Sequence, residues 1–194
     1  VIQAETSPAP RMILLVTTAG LAWFWMQGIH ELGHALAGWL SGAEVRQVVL
    51  HPLTISRTDL GLNPKPLLVC WAGPLMGVTA PLIVWAVSAR LRLTCAYWLR
   101  FFAGFCLIAN GAYLAVGARD GIGDAGDLVV HGAPVWTLYL FGLVTIPAGF
   151  ALWNGLGAQF GLGGDGRSIT WQAALTCTTL LGITVILELI LSHT

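Results

Sequence analysis

Residues 26–40, MQGIHELGHALAGWL, place His30, Glu31 and His34 inside an otherwise apolar run. On a helix, positions i and i+4 share a face, so both imidazoles project the same way, one turn apart. Ionisable groups inside a spanning helix are expensive, at about 2.5–3.5 kcal/mol for each charged type on insertion scales. Three within five residues therefore mark chemistry rather than packing. HELGH is an HExxH pattern, with two imidazoles for one divalent metal and a carboxylate beside it. That carboxylate, Glu31, can take a proton from water as a general base. Zinc fits best, because it accepts two imidazoles plus a carboxylate and leaves a fourth position open for water.

The rest of the chain explains the setting. Its 194 residues are 56% hydrophobic and 9% charged, with a mean hydropathy of +0.78. A soluble domain carries about 25% charged residues, so the natural solvent here is a bilayer. Five apolar segments stand out, at 12–40, 67–89, 94–117, 134–156 and 171–191. Each reaches or approaches the roughly 20 residues that cross a hydrocarbon core. The reading is an all-α polytopic membrane protein with about five transmembrane helices. It is expected to form one membrane-embedded domain over 1–194, with a short polar tail at 1–11, a core at 12–130 and extra helices across 134–191. The first segment is longer than one crossing needs, so it must tilt or project.

Net charge is zero, so no basic field argues for nucleic acid. Cys70, Cys95, Cys106 and Cys177 form no CxxC pair and read as small apolar residues. If all five segments span, Arg11, Arg90, Arg92, Arg100 and Arg167 fall on one side, and Arg46, Arg57, Lys65 and Arg119 on the other. The small excess on the first side points to a cytoplasmic N-terminus.

Two connecting pieces differ from the apolar runs. Residues 42–66 contain VRQVVLHPLTIS, β-branched and partly alternating around Pro52. That pattern predicts short strands or a hairpin, a small β-like insert between the first and second helices. Residues 117–134, GARDGIGDAGDLVVHGAP, set Asp120, Asp124 and Asp127 among glycines. Counting crossings brings this piece out on the side where the first span ends, beside HELGH. A loop or helix start dipping in there can deliver the third metal ligand. A solvated loop, or an N-cap for the next helix, is the competing reading for any one of these aspartates.

HELGH in the first span, AGPLMG at 72–77 opening the second, and the Gly/Asp run after the third together resemble the site-2-protease-type intramembrane zinc metalloproteases. The resemblance covers about residues 20–130. It implies Zn²⁺ as cofactor, the lipid bilayer and a transmembrane protein substrate as partners, and hydrolysis of peptide bonds in that substrate. It implies a multi-pass integral protein, expected in a bacterial inner (cytoplasmic) membrane. It also implies a sheet element after the zinc helix whose edge holds extended substrate. In that family an Asn-containing run ends in an Asp-Gly pair that completes the zinc site. Here NGAYLAVGARDGIGDAGDL keeps Asn110 but lacks the usual prolines. Asp120 has the following glycine, whereas Asp124 lies between small residues entering a helix. The resemblance thus selects His30, His34 and Asp124 as metal ligands, with Asp127 the alternative and Asp120 third, and Glu31 as the catalytic residue. The AGPLMG element often ends in asparagine in the family; Gly77 takes that place. The rival reading is a zinc-binding polytopic membrane protein that cleaves no peptide and serves metal handling or another hydrolysis.

Overall fold

Long apolar runs without a polar face become helices that bury little of themselves, and five such helices form the body of the protein. The computed structural model describes residues 8–163 and 166–191. In chain order the elements are α1 (Pro8–Ser41), β1 (Val45–Val49), β2 (Arg57–Leu60), α2 (Pro66–Arg90), α3 (Ala96–Asp120), α4 (Gly123–Val130), α5 (Val135–Trp153), a 3₁₀ turn (Gly157–Phe160) and α6 (Trp171–Leu191). Helices α1, α2, α3, α5 and α6 are long and apolar enough to cross a membrane. Their outward side chains include Val16, Trp23, Ile83, Leu143 and Leu187. In lipid such a surface carries no desolvation penalty.

Residues 8–11, expected in the polar tail, are helical and belong to α1. Arg11 then donates to the Gly161 carbonyl at 3.0 Å, tying the start of α1 to the 3₁₀ turn. The remainder of the expected tail, residues 1–7, lies outside the described residues.

Helix α1 packs against α2, α3 and α6. It runs parallel to α3: the Trp98 indole donates to Thr18, and Asn110 meets His30, the same 80-residue offset at both levels. It also runs parallel to α6, where Thr18 meets Cys177 and Trp25 donates to Thr184, both at an offset of 159. Helix α5 returns along α3. Its Gly142 and Gly149 lie against the backbone of Gly111 and Gly104: added Cβ atoms would come within 2.9 Å and 2.7 Å of those carbonyl oxygens. Small residues let the two backbones approach where lipid offers no hydrophobic drive.

Two smaller elements sit at the end of the bundle where α1 finishes. Strands β1 and β2 pair antiparallel, with Val49 opposite Arg57, Val48 opposite Thr58 and Gln47 opposite Asp59. Alternation along β2 puts Arg57 and Asp59 on the outer face, where they pair at 3.1 Å, and Thr58 on the inner one. Ser56 has the same parity as Thr58. Helix α4 is short, and Ala125 and Leu128 bury it against Leu114 and Leu138. Gly121 (φ +64°) caps α3, and Gly123 (φ +56°) starts α4. Both are left-handed positions that glycine adopts without strain.

Candidate metal centre

His30 and His34 stand one turn apart on α1, and each ring is held through its Nδ1. The Nδ1–H of His30 donates to Asn110 Oδ1 at 2.7 Å. The amide of Asn110 is oriented by its own Nδ2, which donates to the Cys106 carbonyl at 2.9 Å. The Nδ1 of His34 lies 2.8 Å from the Val69 carbonyl oxygen, which can only accept, so Nδ1 carries the hydrogen. In both neutral rings the lone pair is therefore on Nε2.

Those two lone pairs converge on a carboxylate. Asp124 Oδ2 lies 2.7 Å from His30 Nε2 and 3.1 Å from His34 Nε2, and the two nitrogens are 3.1 Å apart. Three potential ligand atoms so close together suit a cation between them. Two imidazoles and one carboxylate are the donor types that zinc takes, so the donor set fits that ion. The three residues form the one such group of potential ligands among the described residues. Both histidines are 7% exposed.

Of the three candidate aspartates, the fold brings only Asp124 to the imidazoles. Asp120 ends α3 in an exposed position, and Asp127 is exposed on α4. The backbone of Asp127, not its carboxylate, is engaged, its carbonyl accepting from His131 Nδ1 at 2.7 Å. The turn before α4 aims Asp124. Its N–H donates to the Tyr113 hydroxyl at 3.1 Å, and the Tyr113 ring stands edge-on to His30. A Cβ at Gly123 would strike that hydroxyl.

The AGPLMG element has a spatial reason. A Cβ at Gly73 would overlap the His34 imidazole, and one at Gly77 would lie 2.7 Å from Asn110 Oδ1. These glycines, one turn apart on α2, form the slot that admits the His34 ring and the amide holding His30. Glu31, 4% exposed, turns toward the hairpin instead. Its Oε1 accepts from the Ser56 hydroxyl and its Oε2 from the Thr58 hydroxyl, each at 2.8 Å. Sequence reasoning missed Ser56 and Thr58; the only trace was two hydroxyl residues of equal parity in a strand-like stretch. His51 stays in the hairpin loop, where its Nδ1 accepts the Leu53 N–H.

Residues 13–123, more than half of the chain, match the family described as Peptidase M50B-like. The chain belongs to this family, the site-2-protease family. With its five apolar helices, this M50B-like protein is an integral, multi-pass membrane protein of a metallopeptidase type. The match takes in HELGH, AGPLMG, the hairpin and α3 and stops one residue before Asp124, so it does not itself cover that aspartate. No curated protein and no solved structure matches the chain.

Proposed function

We propose that this M50B-like protein is an intramembrane zinc metalloendopeptidase that hydrolyses peptide bonds of transmembrane protein substrates. His30, His34 and Asp124 would hold the metal, and Glu31 would act as general base. The observation that carries the reading is the convergence of three lone pairs, at 2.7–3.1 Å, beside a buried glutamate. Zinc, when bound there, supplies a Lewis acid that acidifies water and polarises a carbonyl.

The chain's own groups do the rest. Asn110 and Val69 fix the tautomers, so both Nε2 atoms present lone pairs without rearrangement. Asp124 contributes the one negative charge of the donor set. Glu31 accepts a proton from the attacking water and delivers it to the amide nitrogen as the C–N bond breaks. Each of its oxygens keeps a second acceptor position after bonding Ser56 or Thr58. Closely packed apolar helices keep bulk water scarce around these groups, which strengthens each interaction.

The test joins metal analysis to cleavage. Purified protein should carry one zinc per chain and cut a helical membrane substrate. Glu31→Gln should retain the zinc and lose cleavage by about 10²- to 10⁴-fold. Wild-type cleavage by Glu31→Gln would sink the assignment of the base. Zinc-loaded protein that cuts no unwound or helical peptide would leave a metal-binding membrane protein instead.

A further inference from the structure

The Glu31 carboxylate is held from outside its own helix. Ser56 and Thr58 reach it from the hairpin, each donating a hydroxyl to a different oxygen at 2.8 Å. The Thr58 hydroxyl also lies 3.3 Å from the Glu31 carbonyl oxygen. A glutamate has three side-chain torsions, and fixing both of its oxygens removes most of that freedom. The hairpin's alternation makes the clamp possible. Thr58 faces inward in β2, opposite Val48, while its neighbours Arg57 and Asp59 pair with one another on the outside. Ser56, two residues earlier, falls on the same face. Hydrogen bonds to a carboxylate are about twice as strong as neutral ones, so two of them favour one carboxylate placement.

We infer that Ser56 and Thr58 are positioning residues, which hold the Glu31 carboxylate from the hairpin so that it meets the attacking water in a fixed orientation. This rests on the reading of Glu31 as the base. A misplacement of about 1 Å at a reacting group can cost on the order of a hundredfold in rate. The cost belongs to kcat, because neither hydroxyl is needed to hold the metal ligands, which are fixed by Asn110, Val69 and the turn into α4.

The experiment uses the full chain, zinc-loaded, in detergent or liposomes. Thr58→Val keeps the side chain's shape and removes its hydroxyl; Thr58→Ser keeps the hydroxyl; Ser56→Ala removes the second. Thr58→Val and Ser56→Ala should each lower kcat roughly ten- to a hundredfold with KM and zinc stoichiometry unchanged, and Thr58→Ser should keep most of the wild-type kcat. A second readout needs no activity. In metal-free protein, Thr58→Val should lower the melting temperature, and that loss should vanish when Glu31 is already alanine. Wild-type kcat in Thr58→Val overturns the inference, as does equal impairment of Thr58→Val and Thr58→Ser. An equal melting loss with and without the Glu31 carboxylate also overturns it. If the wild-type protein cuts nothing, the proteolytic reading fails on its own. The melting comparison then decides whether the clamp exists.

Discussion

Two acceptors outside the proposed donor set decide which nitrogens face Asp124. Asn110 Oδ1 and the Val69 carbonyl take the Nδ1 hydrogens of His30 and His34, leaving both Nε2 atoms bare toward Asp124. Removing one charged member of the donor set should therefore cost more than removing a bystander. Asp124→Ala should abolish stoichiometric zinc, whereas Asp120→Ala and Asp127→Ala should retain it, as elemental analysis of the purified variants would show. Space matters as much as charge at this scale. Gly73→Ala puts a methyl group into the His34 imidazole; zinc affinity should fall at least about tenfold, the range seen when groups supporting a ligand are changed. Equilibrium competition with a chelator would measure it. The residue types were readable in the sequence, because HExxH carries its own helical geometry. The need for glycine at 73 and 77 was not. It comes from a neighbouring helix, and one-dimensional spacing says nothing about which helices touch.

Two short elements complete what the long helices cannot. Helix α4 carries Asp124, and the hairpin carries the hydroxyls that bond Glu31. The sequence predicted the hairpin from its β-branched alternation and anticipated that a helix start could deliver an aspartate. Local chemistry did not separate the three aspartates in eight residues, and only the family resemblance ranked Asp124 ahead of Asp127 and Asp120. Burial of Leu128 and Ala125 against Leu114 and Leu138 settles the rotation of α4 and so turns Asp124 inward. Leu128→Ala should then weaken zinc binding without touching a ligand. A fully buried leucine cut to alanine costs about 2–5 kcal/mol, enough to loosen an eight-residue helix. Val130→Ala on the exposed face of α4 should leave the metal in place. A chelator titration that found both variants like wild type would disconnect α4's packing from the site.

Across the whole molecule, two crossings, α2 and α3, separate the hairpin from α4, so both lie at one end of the bundle and the α2–α3 turn lies at the other. Cys95, in that turn, is exposed, whereas Cys106 and Cys177 are buried and Cys70 is half-buried. A membrane-impermeant maleimide should label Cys95 from one side only, and a cysteine replacing the exposed Leu53 of the hairpin from the opposite side. Labelling of both from one side would contradict five crossings. The slight excess of arginine on the Cys95 side predicts, by the positive-inside rule, that Cys95 reacts in inside-out vesicles. By itself the sequence determined the solvent, the number of long helices and two ligand candidates with their neighbouring base. Apolar length and a period of four residues are local properties of the chain. Only the tertiary structure placed Asp124 against both imidazoles, gave Gly73 and Gly77 their purpose and brought Ser56 and Thr58 to Glu31. Those outcomes depend on which faces of separate helices pack together, and distances between segments 25 to 94 residues apart are fixed by packing rather than by spacing along the chain.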